Sequence, residues 1–227
     1  MRAAALALLV ASPAAAQEFV EVPGPLDDDA FYRAVACAAP PGGACGKPFL
    51  RWPAARRDGL TVGLASVAEG LPDWRLRLYE EALAAAIAEI NALGADLSLS
   101  PVETGASAPD IAIHVVATPP GHVMRNTGVP GLDGALLPLG RVALRARDGD
   151  IREALIAVSA FTRRREIASI LLEEITQGLG LMTDIRGPGY ARSVFSEDGN
   201  STTRLTGQDA MALRRHYPPS GESAEES

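Results

Sequence analysis

The sequence has few aromatic residues, few cysteines and few histidines. Aromatic side chains make up only 5% of the 227 residues, so aliphatic and small side chains must fill the core. The two cysteines have no third cysteine and no histidine close to them in the chain that could complete a zinc site. The three histidines, His114, His122 and His216, are not at ligand spacing from one another. The composition therefore offers no obvious site for a transition metal.

A basic surplus and a long apolar run are also missing. The formal net charge is −7, which argues against a nucleic-acid partner because no excess of Lys and Arg can neutralise phosphates. The apolar run at 3–11 is too short to span a bilayer, and no other run approaches the required length. Arg2, this run and the small residues of SPAAA are typical of a secretory signal peptide at residues 1–16. The sequence predicts a protein that is periplasmic or secreted and does not span the membrane.

Beyond the predicted cleavage site after Ala16, the chain divides into three parts. Residues 17–47 form an N-terminal arm that contains a short helical patch and a loop between Cys37 and Cys45. Because Pro and Gly in this loop favour a tight reversal, and exported proteins meet oxidising conditions, we expect a disulfide there. Two free thiols or a metal pair are the alternatives. Residues 48–218 are expected to form one domain, and residues 219–227 a disordered acidic tail.

Hydrophobic periodicity predicts an α+β domain. Strands are expected at 60–66, 96–103 and 110–117, and DGD predicts the turn of a later hairpin. Residues 118–140, which are rich in Gly and Pro, should be a long loop. The predicted helices are a long one capped by Asp73 and stopped at Gly94, one from Arg163 to Leu179 capped by Thr162, and one from Thr206 to Tyr217.

One residue of the second predicted helix is anomalous. In LLEEITQGLGLMTD, Glu174 falls in the middle of the apolar face, and an amphipathic helix has no reason to bury a carboxylate that nothing receives. It could pair with a buried arginine or with backbone N–H groups; it could be a general base or a neighbour of a metal; or it could reach solvent along a cleft. The candidate arginines are Arg192, Arg214 and Arg215.

This stretch resembles the active-site half of a matrixin-type metzincin, a zinc peptidase family with the motif H-E-x-x-H-x-x-G-x-x-H. Glu174 stands at the catalytic-base position and Gly180 at the bend glycine. LTGQD at 205–209 and the closing Tyr217 are similar to the family's final helix. The resemblance implies a zincin-like mixed twisted sheet, packed with a long first helix, an active-site-type second helix and a C-terminal helix.

The departures from the motif concern its metal. Glu173, Gln177 and Thr183 stand where the family has its three histidines, and an amide and a hydroxyl are poor zinc donors. The family also has a turn that contains a methionine after the motif. Here no methionine stands in that turn, and Phe195 is the nearest candidate for its place. We therefore expect no bound metal, no cofactor and no zinc-dependent hydrolysis, as in a pseudo-metallopeptidase.

The mature chain as a whole is similar to an uncharacterised family of exported bacterial proteins. The phrases that carry this resemblance are FYRAVACAAPPGGAC, RWP, EEITQGLGLMTD and SVFSEDGN. The resemblance implies that Glu-Glu-x-x-Gln is the normal form of the motif in that family. It implies no known activity.

A few other residues are candidates for a site. His114 is either a packed or exposed strand residue or a side chain that reaches the Glu173/Glu174 region across the cleft. Oxygen donors suited to a hard cation are a further possibility; they are Glu173, Glu174, Asp184 and Asp198. His122 should be solvated in its loop, and His216 should be a cation at a helix end.

Three functions compete for this chain. The first is a non-catalytic module that binds a peptide, a protein or an envelope component in the former active-site cleft. The second is a hydrolase that uses Glu174 with an unconventional metal or none, and the third is a structural envelope protein. The residues predicted to line the cleft beside Glu174 are Glu173, Gln177, Gly180, Thr183, Asp184 and His114.

Overall fold

The computed structural model describes residues 19–105, 108–129, 131–199 and 201–219. The predicted signal peptide and most of the predicted acidic tail lie outside these residues. Within these ranges, no helix is both long enough and apolar enough to cross a membrane.

The described residues form short and long strands interleaved with four helices. The strands are β1 (Phe19–Glu21), β2 (Leu60–Val67), β3 (Leu99–Pro101), β4 (Ile111–Val116), β5 (His122–Val123), β6 (Leu136–Leu137), β7 (Gly140–Arg147), β8 (Asp150–Ser159) and β9 (Asp184–Arg186). The helices are α1 (Asp28–Cys37), α2 (Asp73–Asn91), α3 (Ile167–Gly178) and α4 (Gln208–His216).

A five-stranded sheet in the order β3-β2-β4-β8-β7 organises the domain. All neighbouring pairs are parallel except β7 and β8, which form the antiparallel hairpin predicted from DGD. β4 is buried along its whole length, as expected of a central strand covered on both faces. The two small sheets pair β1 with β9 and β5 with β6. The predicted fold class, α+β with a mixed twisted sheet and these helices, is confirmed.

The two faces of the sheet are covered by different parts of the chain. Ile111 and Ile113 of β4 share a core with α2 and α3, whereas Ala112 and Val116 face a second apolar cluster with Met124. This second cluster includes side chains of the predicted 118–140 loop, which contains the short β5–β6 hairpin. The loop is therefore folded over the sheet.

Two predicted helix caps are wrong. α2 follows Pro72, and Asp73 is its first residue; no side chain bonds to its free N–H groups as a cap. α3 begins at Ile167 after a 3₁₀ turn at Arg164–Glu166, so Thr162 lies too far upstream and is buried instead. The ring of Pro72 fixes φ near the −63° seen at this N-cap, but it supplies no acceptor for the free N–H groups of the first turn.

Two aromatic residues from distant segments bind the C-terminal end of α3. Trp52 Nε1 donates to the carbonyl of Gly178 (3.0 Å), and the Tyr217 hydroxyl donates to that of Leu179 (2.5 Å). The backbone N–H of Trp52 in turn donates to the Tyr217 hydroxyl (3.1 Å). Because the last carbonyls of a helix have no partner within the helix, these bonds set where α3 ends and how the chain leaves it.

The N-terminal arm packs against the domain. β1 extends beside β9, and α1 packs against α4. Phe31 of α1 is fully buried and stacks on Tyr190 with ring centroids 5.5 Å apart. The arm ends in the predicted disulfide between Cys37 and Cys45.

Replacing both cysteines with alanine should lower the free energy of unfolding by about 2–3 kcal/mol, because the bond closes a loop of about nine residues in the unfolded chain. Urea denaturation of the oxidised protein and the double variant measures the difference. Adding a reductant to the unmodified protein should reproduce the loss. An unchanged midpoint in both experiments would contradict the stabilising role.

His216 is not the helix-end cation that the sequence predicts. It is fully buried, its Nε2 donates to the carbonyl of Leu50 (2.8 Å), and its Nδ1 accepts from the hydroxyl of Tyr32 (3.2 Å). Burial, together with the nearby Arg51 guanidinium, lowers the pKa of His216 to about 3. The ring is therefore neutral and serves as a hydrogen-bonding core residue.

Candidate functional site

Helix α3 buries Glu174 among apolar neighbours. Ile170, Leu171 and Ile175 lie in the core, and Glu174 is only 2% exposed. Glu173, the preceding residue, is half-buried. The prediction from helical periodicity that the Glu174 carboxylate faces inward is confirmed.

The Glu174 carboxylate has no hydrogen-bond partner for its Oε2 atom within the described residues, although that atom is buried. The expectation that Arg192, Arg214 or Arg215 pairs with it is wrong. Arg215 instead pairs with Asp29 of α1, 2.5 Å away. The cation that acts on Glu174 is Arg141 of β7, at the edge of the sheet.

Gly140, the first residue of β7, makes room for this carboxylate. A Cβ atom added to Gly140 would overlap Oε1, Cδ and Cγ of Glu174. The backbone conformation does not require glycine there, because φ is not positive. Gly140 is therefore explained by the close approach of β7 to the Glu174 side chain.

A cavity of about 370 Å³ lies beside α3 and β7. Apolar side chains form one part of its lining, and these are Leu136, Pro138, Leu139 and Ile170. Charged side chains form another part, and these are Glu173, Glu174, Asp184, Glu197, Asp198 and Arg141. Five of the six charged groups are carboxylates, so the cavity is strongly acidic.

Burial and mutual repulsion favour the protonated forms of two of these carboxylates. Burial raises the pKa of Glu174 well above its ordinary value, Asp184 adds to the shift, and Arg141 opposes it. Burial also raises the pKa of Glu173, with further contributions from Glu174 and Asp184. Two adjacent groups of α3 can thus hold protons at a pH where ordinary glutamates are ionised.

The metal-ligand positions of the metzincin motif do not fit zinc here. Gln177 Nε2 donates to Asp184 Oδ1 (3.0 Å), so the amide at the second position is engaged within the chain. Thr183, at the third position, is buried, and its backbone N–H donates to the carbonyl of Val35 in α1 (3.1 Å). Among the described residues, no group of three His, Cys, Asp or Glu is placed to hold a metal ion.

Not all residues predicted for the cleft line this cavity. Glu173, Glu174 and Asp184 line it. Gln177 does not, but its side chain donates a hydrogen bond to Asp184. His114 projects from the other face of the sheet, as do Ala112 and Val116, and its Nδ1 bonds to the hydroxyl of Ser66 (2.8 Å).

Two further predicted residues are packed away from the cavity. Gly180 has a positive φ of 104° and lies against the backbone of Leu50. Thr183 lies beneath α1. Both positions shape the turn that carries the chain from α3 to Asp184 and do not form the cavity lining.

Two further cavities share lining residues with the first. One of about 590 Å³ shares Ser196, Asp198 and Gly199 with it and continues toward Arg165 and Glu166. The other, of about 680 Å³, shares Asp198 and continues along the arm. All three cavities have Asp198 in their linings, and the three together are called the groove.

Sequence reasoning missed several lining residues. Leu136, Leu139 and Gly140 lie at the end of the predicted long loop 118–140, and Arg141 follows it directly. Glu197 lies beside Asp198, which was considered only as a cation ligand. The glycine directly before a strand in LLPLGR was the available signal, but only the packing of β7 on α3 shows what it clears.

Comparisons with known proteins give a match of part of the chain to a family model and matches to solved structures. Residues 135–223 match a family model described as "Protein of unknown function (DUF2927)", a range that runs from β6 through α4. No curated protein matches the chain.

Two solved structures show similarity at low identity. "Crystal structure of myroilysin" is 12% identical, with 74% of this chain and 86% of that chain covered at a TM-score of 0.42. "Structure of Myroilysin" is 13% identical, with 89% and 91% covered at a TM-score of 0.36.

Proposed function

We propose that this chain is an exported, non-catalytic binding module whose groove takes an elongated ligand: a peptide, a protein segment or an envelope component. The observation that carries the proposal is the open cavity beside α3, which persists although Gln177, at one of the positions where the metzincin motif would bind zinc, donates to Asp184. The groove offers apolar and acidic surface to a ligand.

Three features support the proposal. Three cavities share Asp198 in their linings, which suits a ligand that extends from one to the next. Leu136, which borders the first cavity, is 48% exposed and offers an apolar contact to a partner. The disulfide of the arm supports export, because such bonds persist in oxidising compartments.

A display library of random peptides, panned against the purified mature protein, tests the proposal. Peptides should be retained, and Leu136→Ser should weaken their binding about tenfold by removing an apolar contact. Val123→Ser is the matched control, because Val123 pairs directly with Leu136 across the hairpin and is 43% exposed, but does not line the cavity. Failure to retain peptides, or an equal loss in both variants, would refute groove binding.

Hydrolysis by proton transfer is a second candidate function. It is favoured by the position of Glu174 in the cavity lining and by its raised pKa, which would let it hold a proton for a leaving group at a pH where ordinary glutamates are ionised. A panel of unstructured protein substrates distinguishes the two functions. Cleavage that disappears in Glu174→Gln would support hydrolysis, and intact substrates after long incubation would support the binding module.

A further inference from the structure

We propose that the cavity beside Glu174 binds one organic cation, the ammonium or guanidinium group of a lysine or arginine side chain on the ligand. This inference rests on the proposed binding function and names the chemistry that the first cavity recognises. Three observations carry it. Glu174 Oε2 is buried and makes no hydrogen bond within the described residues, other carboxylates of the cavity have partners in the chain, and part of the cavity wall is apolar.

Four of the five carboxylates of the cavity show how their contacts differ. Asp184 accepts from Gln177, while Glu197 and Asp198 both pair with Arg186 at 3.2 Å. Glu174 Oε2 is buried and makes no hydrogen bond within the described part of the chain. A buried carboxylate oxygen without a donor is costly, and a ligand that brings N–H groups would remove that cost.

The shape of the site favours an organic cation over a metal ion. The described residues contain no group of three acidic or His/Cys ligands placed around a single ion. The cavity is far larger than a bare ion, and part of its wall is apolar. A lysine or arginine side chain matches both features, because its methylene stem packs on apolar surface while its charged head forms charge-assisted hydrogen bonds.

Charged groups from every element around Glu174 bear on such a ligand. Glu173 of α3, Asp184 of β9 and Glu197 from the loop after Phe195 attract a cation, and Arg141 of β7 opposes it. Because burial raises the pKa of Glu174, the cation must displace a proton when it binds at low pH. Affinity should therefore rise as the pH increases through the titration of Glu174, while the ligand's own ammonium stays charged.

Nuclear magnetic resonance titration of the mature protein tests the inference with Nα-acetyl-lysine amide and Nα-acetyl-arginine amide. Nα-acetyl-norleucine amide is the uncharged probe with a similar apolar stem. The cationic probes should bind at least about tenfold more tightly than norleucine, and their affinity should increase from about pH 5 to pH 8. Equal binding of norleucine, or no shift with the cationic probes at concentrations up to about 10 mM, overturns the inference.

Two variants locate the effect. Glu174→Gln keeps the side-chain volume and should weaken binding of the lysine probe at least about tenfold. Glu81→Gln, on the exposed side of α2, changes the net charge equally and should leave binding unaltered. Unaltered affinity in Glu174→Gln would refute a cation site at this carboxylate.

The two proposals fail in different ways. In one outcome, the library retains peptides whose binding depends on Leu136 but neither favours Lys or Arg nor depends on Glu174. That result would support groove binding and refute the cation site. Binding of the lysine probe that depends on Glu174, without retention of any peptide, would keep the cation site and remove the elongated ligand.

Discussion

Replacing Gly180 with alanine should lower the free energy of unfolding by about 3–5 kcal/mol. Gly180 has φ 104°, which only glycine adopts readily, and an added Cβ would overlap the carbonyl oxygen of Leu50. The same Cβ would lie 2.9 Å from His216 Nε2. Leu50 and His216 are hydrogen-bonded to each other at 2.8 Å, so neither can retreat without breaking that bond.

Gly94→Ala separates backbone strain from the clash. Gly94 also has a positive φ, 69°, but a Cβ added there would meet nothing within 4 Å. This control should lose only about 1–2 kcal/mol, the cost of placing a non-glycine residue in the left-handed region. Urea denaturation of both variants measures the difference. Equal losses would show that the contact with Leu50 does not constrain the turn.

Replacing Glu174 with glutamine should raise the free energy of unfolding at pH 8 by about 1–3 kcal/mol, because glutamine keeps the volume and avoids the cost of either burying the Glu174 charge or protonating it on folding. A carboxylate paired with a buried arginine would give the opposite sign, since its loss would leave the arginine without a partner. The direction of the change therefore tests whether Glu174 is uncompensated in the folded protein.

The gain from Glu174→Gln should depend on pH. The folded pKa of Glu174 is raised above its unfolded value, so the folded state binds the extra proton. Its stabilising contribution is fully present below the unfolded pKa and is lost as the pH rises through the folded pKa. The variant and the parent should thus converge near pH 4 and diverge toward pH 8. A constant difference across this range would contradict a buried titrating group.

Urea denaturation at several pH values measures this dependence. Glu81→Gln is again the control, because an exposed glutamate should give a change of less than about 0.5 kcal/mol at every pH. If Glu174→Gln is more stable than the parent, its loss of affinity for the lysine probe cannot come from unfolding.

The sequence by itself predicted the elements whose periodicity is strong. The long helix α2, the strand β4 and the β7–β8 hairpin occur where apolar spacing and turn residues predict them. Caps were less well predicted, since Pro72 replaces the expected Asp73 and Thr162 is buried. Capping depends on where the first turn forms, and a 3₁₀ turn before α3 moves that point by several residues.

Sequence periodicity also determined that Glu174 is buried, and the spacing of Pro and Gly between Cys37 and Cys45 predicted the disulfide. Only the tertiary structure decided what these residues meet. His216 is a neutral core residue because packing buries it near Arg51, and His114 faces away from the cavity because strand parity places it on the opposite side of the sheet. Gly140 and Arg141 joined the site through the packing of β7 on α3. Such partners lie far apart in the chain, so local patterns identify the buried group, whereas long-range packing selects its neighbours.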